Sequence, residues 1–267
     1  MLNPVFKYYS KHTDIIKENL LLSEDPENIE AIHNLRLSIK RLRVVMRLVN
    51  QIRKDSDMLS SMQEINTLFK QAGNLRDLQI IGLLLKEFKL PELDPVLSNL
   101  LRKTGQRRNK YEIALAGFKK EHPDEISSKL RQALQHVDRE QAYAEGISLL
   151  TILTNEISYI FHESRQEKRF HSIRRRLKDI NYLNNIFDEQ LPVEDSLNIG
   201  VSRLRDLADL AGFWHDHLNM QKEINNFIRK YPDRSSPSLE AFNRMIKNRK
   251  HELQQEYSCI LINEMKI

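Results

Sequence analysis

"IEAIHNLRLSIKRLRVVMRLVNQIRK", residues 29–54, decides how the chain is read. It holds seven Lys or Arg and no acid after Glu30, yet Leu, Ile, Val or Met fills the gaps between its charges. At 100° per residue, Arg36, Lys40, Arg43 and Arg47 fall within an arc of about 80°, with His33 at its edge. Leu35, Ile39, Leu42, Met46 and Val49 take the opposite side, as an amphipathic helix requires. The charged row is about 21 Å long at 1.5 Å per residue. Its other flank carries Leu37, Val44 and Leu48, so apolar residues border it on both sides. A solvated face would be bordered by Glu, Gln or Ser. The pattern predicts cations lining a groove walled by neighbouring helices, where crowded like charges call for acids from elsewhere or for an exogenous polyanion.

The remaining sequence agrees with a helical reading. Gly and Pro are scarce, at seven and eight in 267 residues, while Leu, Lys, Glu, Arg and Ile dominate, which suits long helices with short connections. Apolar residues make up 40%, enough to bury a substantial core, and the length suits one large domain or two of ordinary size. The fold class predicted is all-α. Bases number 42 against 37 acids, so the net charge of +5 says little by itself and the distribution of charge decides. Cys259 is the single cysteine, which excludes an intrachain disulfide and any Cys-based zinc site. The opening "MLNPVFKYYSKHTDII" has no apolar signal region, and no stretch approaches the ~18 apolar residues of a membrane span. A cytoplasmic protein with no membrane partner is expected.

Five breaks carry Pro among acids or Ser: "SEDPEN" at 23–28, "KLPELDP" at 89–95, "EHPDE" at 121–125, "QLPVEDS" at 190–196 and "YPDRSSPS" at 231–238. Across them runs an internal repeat. His33, Arg36 and Lys40 recur 138 residues later as His171, Arg174 and Lys178, and "AGNLRDLQIIGLLLKEF" from Ala72 is answered by "AGFWHDHLNMQKEINNF" from Ala211. Gly73 thereby pairs with Gly212, and Asp77 with Asp216. Two pseudo-symmetric halves, roughly 1–122 and 123–267, are expected as duplicated four-helix-type units.

The second copy places His171, Arg174, Lys178, Asn181 and Asn185 on one stripe, with Arg165, Lys168, Arg169, Arg175 and Arg176 nearby and two acids, Glu163 and Glu167, among them. "RKTGQRRNK" at 102–110 adds five bases and no acid, among them Arg107 and Arg108. Three basic patches on separate helices are expected to converge on one channel. The residues alone leave open whether His33 and His171 are satisfied core histidines or ligand contacts. Asp77 and Asp216 read as helix acids or as partners holding an Arg in place rather than as catalytic groups.

The strings "IHNLRLSIKRLRVVMRL" and "AGNLRDLQII", with the echoes "FHSIRRRLKDINYL" and "LADLAGFWHDHL", resemble the CHAD domain, the conserved histidine α-helical domain. The resemblance spans essentially the whole chain. It implies a single domain over residues 1–267, a compact bundle of long antiparallel helices in two pseudo-symmetric halves, with a central basic channel that binds inorganic polyphosphate and a role at polyphosphate granules. The channel residues it carries over are His33, Arg36, Lys40, Arg41 and Arg43 in the first copy and His171, Arg174 and Lys178 in the second. Arg47, Arg107, Arg108 and Arg175 join them from helical projection and charge clustering. Where the first copy reads Arg41, Leu42 and Arg43, the second reads Asp179, Ile180 and Asn181, so a site weighted toward the first copy is expected. The E-x-E-x-K signature of an accompanying triphosphatase is absent from the sequence.

The expected mechanism is electrostatic, with no covalent step, no metal and no cofactor: Arg offers bidentate donors and Lys a compact ammonium to regularly spaced phosphate oxygens. The histidines are expected to strengthen binding below about pH 6.5. A nucleic-acid binder is the main alternative, set back by the lack of stacking aromatics in the stripe. A phosphoryl-accepting or metal-binding His protein is the other. His215 and His217 stand two apart and diverge on a helix, so they cannot chelate together. A monomer is expected.

Overall fold

Asn, Ser and Pro set the helix starts. Asn3 accepts a hydrogen bond from the Val5 amide at 2.9 Å, Pro4 takes the first helical position, and α1 runs Pro4–Leu22. Asn28, closing the first proline-marked break, caps α2 (Ile29–Ile52) by accepting from the Ala31 amide at 3.0 Å. Ser236 accepts from Leu239 at 3.1 Å ahead of Pro237, opening α10 (Pro237–Asn263).

The computed structural model describes residues 3–54, 58, 60–118, 122–163 and 166–265. Over these the chain is all-α. Between the helices already named lie α3 (Gln63–Glu87), α4 (Asp94–Ala116), α5 (His122–Ala133), α6 (Arg139–Glu163), α7 (Gln166–Ile186), α8 (Val193–Leu197) and α9 (Val201–Lys230). The proline-marked breaks fall between helices or on their first turns, with Glu121 outside the described residues. The breaks after Ile52 and Ala133 carry no proline, so periodicity alone does not reveal them. With glycine scarce, Lys89, Asp188, Glu189 and Asn198 take the left-handed backbone conformation, with φ between 51° and 64°. The turn after α7 is held by fully buried Asn184, whose Oδ1 accepts from the Leu191 amide at 3.1 Å.

Consecutive helices pair as α1 with α2, α3 with α4, α6 with α7 and α9 with α10. Cross-packing of α2 on α3, α6 and α7, and of α9 on α7 and α3, joins the pairs. Two apolar cores result. The larger gathers Tyr9, Ile39, Met46 and Leu75 with Leu150, Ile173, Leu177, Trp214 and Tyr257. The smaller gathers Leu78, Ile81 and Leu85 of α3 and Leu100 of α4 with Ile224 and Phe227 of α9 and Phe242 and Ile246 of α10. Each core therefore draws on both residues 1–122 and residues 123–267. Burying each such Leu, Ile or Phe contributes about 1.5–3 kcal/mol, so neither core can be completed from one sequence half without forfeiting several such terms.

Around the row of cations on α2, Leu35, Ile39, Leu42, Met46 and Val49 are buried, and so are Val44 and Leu48 on the second flank. Leu37 packs against the larger core. The row is walled on both sides. Among the described residues no helix is long and apolar enough to cross a membrane.

Candidate functional site

Arg36 is locked in place before any ligand arrives. Its Nη1 donates to the Phe69 carbonyl of α3 at 2.8 Å, and its guanidinium lies 4.6 Å from the Phe69 ring centroid. Gly73, one turn further along α3, makes this possible: a Cβ there would come within 2.9 Å of the Arg36 Cζ. Arg43 rests on the same ring at 3.9 Å and donates to Asn66. Helix α3 thus holds two arginines of the row by one aromatic ring, a carbonyl and an amide.

Lys40 stands one turn beyond Arg36, half-buried, with Arg36, Arg174 and Lys178 acting on it and Asp77 the opposing acid. Burial, then these cations, push its ammonium down to about 7. The Lys178 ammonium is also lowered, by burial and then by Arg174, against the pull of Asp209 and Asp216. Arg76 of α3 completes the cluster, facing Glu30, Asp216 and Asp77. Among the described residues, Arg76 Nη1 and Arg174 Nε are buried without a hydrogen-bond partner. A buried donor left unmade costs roughly 1–3 kcal/mol, so each of these N–H groups is a standing demand for an acceptor.

The histidines flank this cluster. His171 stacks on His215 of α9 at 5.2 Å between centroids, and His215 Nδ1 lies 3.2 Å from the Asn219 amide. Burial, then His215 and the nearby cations, push His171 down to about 4; burial and Arg76 lower His33 as well, although Glu30 opposes. Both shifts disfavour the charged imidazole.

Other basic residues have other company. Arg47 binds Glu156 at 3.2 Å and Asp179 at 3.5 Å, and Arg176 pairs with the same two acids. Arg47 is thus spent on a network between α2, α6 and α7, and its place in the row does not make it a free cation. Asp179, the residue that stands where the repeat has Arg41, supplies half of that neutralisation. Arg41 leaves the row for the α1 side, its guanidinium 5.7 Å from the Tyr182 ring and its charge acting on Tyr8 and His12. Arg108 pairs with Glu27, and Arg175 is exposed, donating weakly to Ser172 at 3.4 Å. Arg165 lies outside the described residues.

Arg107 lines a groove of about 850 Å³ between α3, α4 and α9, with Arg102, Lys103, Lys110 and Lys222. Asp77 and Glu223 are its acids. Sequence reasoning passed over Arg76, Lys222 and Asn219. Arg76 had a signal, since it immediately precedes Asp77 in the repeated "AGNLRD"; Lys222 sits in the mixed-charge run "NMQKEINN" and had none. Among the described residues no three His, Cys, Asp or Glu side chains gather as a metal site.

A half-buried row of cations on α2 and α7, with an open basic groove between α3, α4 and α9, defines an all-α protein with clustered positive charge. The CHAD domain profile matches residues 8–225, most of the length, and the chain belongs to the CHAD domain family. Among solved structures it resembles the crystal structure of the CHAD domain from the plant Ricinus communis, with a TM-score of 0.66 and 13% identity over 98% of this chain and 90% of that one. At that identity the likeness is one of fold. A search of curated proteins finds no match.

Proposed function

We propose that the chain binds inorganic polyphosphate without covalent chemistry, in the cleft where Arg36, Lys40, Arg174, Lys178 and Arg76 converge. The observation that carries this reading is the surplus of positive charge around Lys40, with buried Arg donors that lack an acceptor beside it. Membership of the CHAD family supports a polyphosphate role. Fixed arginines lower the ordering cost on binding, and a linear phosphate polymer supplies evenly spaced oxygens for each cation. The protein acts as a binding module rather than an enzyme, working as a monomer in the cytoplasm and at polyphosphate granules. Phosphate polymer is preferred to nucleic acid because Phe69 is already engaged by Arg36 and Arg43 and offers no free stacking surface to a base.

Calorimetric titration with polyphosphate at low and high salt tests this, comparing wild type with a Lys40→Gln, Lys178→Gln double variant. Neither lysine holds a hydrogen bond or ion pair among the described residues, so the variant is expected to fold. Each charge-assisted contact is worth roughly 1.5 kcal/mol or more, so binding should weaken by about a hundredfold and lose part of its salt dependence. Unchanged affinity in the folded variant, or single-stranded DNA outcompeting polyphosphate, would sink the reading.

A further inference from the structure

The groove between α3, α4 and α9 lies beyond the α2 and α7 rows, yet it joins them through shared residues. Asp77 lines the groove and acts on Arg36 and Lys40. Lys222 lines it and acts on His171, and Asn219 lines it while touching His215. One acidic wall and one histidine stack thus separate, and connect, two basic stretches.

Within the groove Glu223 is matched by Lys103 at 2.5 Å. Asp77 is then the remaining lining acid against Arg102, Arg107, Lys110 and Lys222. Among the described residues none of these four cations has an ion-pair partner. The lining also carries amides but little aromatic surface, which suits phosphate oxygens rather than a base or an apolar group.

We infer that this groove is a second binding segment for the same polyanion, so that a long phosphate chain runs from the α2 and α7 rows past Asp77 into the groove, while a short one occupies the rows alone. The inference rests on the polyphosphate reading and adds a preference for chain length. The two segments act as linked sites on one ligand, each raising the effective concentration of phosphate at the other.

The test titrates a long polyphosphate and tripolyphosphate into wild type, into an Arg107→Gln, Lys222→Gln variant, and into a charge-matched control, Arg244→Gln with Lys247→Gln, whose residues are exposed on α10. The groove variant should lose about tenfold in affinity for the long chain and less than about twofold for tripolyphosphate, with the control unchanged for both. Lys40→Gln with Lys178→Gln should weaken both ligands. Equal losses on the two ligands, or a groove variant that binds the long chain as the control does, would overturn the second segment while leaving the polyphosphate reading intact. Failure of wild type to bind either ligand would overturn both.

Discussion

Two glycines in equivalent places of the repeat have opposite jobs. Gly73 is the seat of the Arg36 guanidinium, whereas a Cβ on Gly212 would meet nothing within 4 Å. Replacing a mid-helix Gly by Ala gains roughly 0.5–1 kcal/mol where space permits. Gly212→Ala is therefore expected to raise the melting temperature. Gly73→Ala has the same gain but displaces Arg36 from the Phe69 carbonyl and ring, forfeiting about 1–3 kcal/mol, so it should melt lower and bind polyphosphate more weakly. Thermal unfolding of the two variants side by side decides this, and similar shifts for both would refute it. Lys40 makes a second prediction. Its folded value of about 7 lies below its ordinary 10.5, so above pH 7 the folded protein sheds a proton that the unfolded chain retains, and the empty protein gains stability as pH rises from 7 toward 10. A polyanion favours the charged ammonium and reverses the balance. Binding near pH 8 should draw a proton from the buffer and weaken toward pH 9, and Lys40→Gln should reduce the uptake. Titrations in two buffers of different ionisation enthalpy measure it, and heats that do not depend on buffer would contradict it.

At the scale of the helix, α2 was legible because its spacing repeats every three or four residues and its greasy flanks are local facts of the sequence. Leu35 through Val49 turn their apolar side inward as the projection requires, and Arg36, Lys40 and Arg43 keep to one row. What periodicity could not carry was the company each charge keeps. Glu156 and Asp179, which neutralise Arg47, lie 109 and 132 residues away in sequence. Arg41 was separated from the row by an angle visible in projection, but its neighbours Tyr8, His12 and Tyr182 belong to α1 and α7. The groove was less legible still, because it exists only where α4 and α9 stand apart over α3. Five bases at 102–110 announced a patch, and part of what makes it a groove came from Asn219, Lys222, Glu223 and Asn226 on a helix with no basic run of its own.

For the molecule as a whole, the repeat in the sequence does not correspond to separate cores. The larger core takes α1 and α2 together with α6, α7 and parts of α3, α4, α9 and α10, and the smaller takes other parts of α3 and α4 together with α9 and α10. Residues 1–122 and 123–267 made as separate fragments should therefore lack a cooperative melting transition, and mixing or coexpressing them should restore one; a sharp transition from either fragment alone would show that a half can complete its own core. Helices α3, α4, α9 and α10 are shared by both cores and pass from one to the other between Leu75 and Leu78, between Leu100 and Tyr111, between Leu218 and Met220 and between Ile246 and Leu253. On α3 and α9 the crossings lie within a turn of Asp77 and Asp216. Four continuous helices rather than loops thus tie the two cores together, so that whatever loosens one core is passed along the same struts to the other.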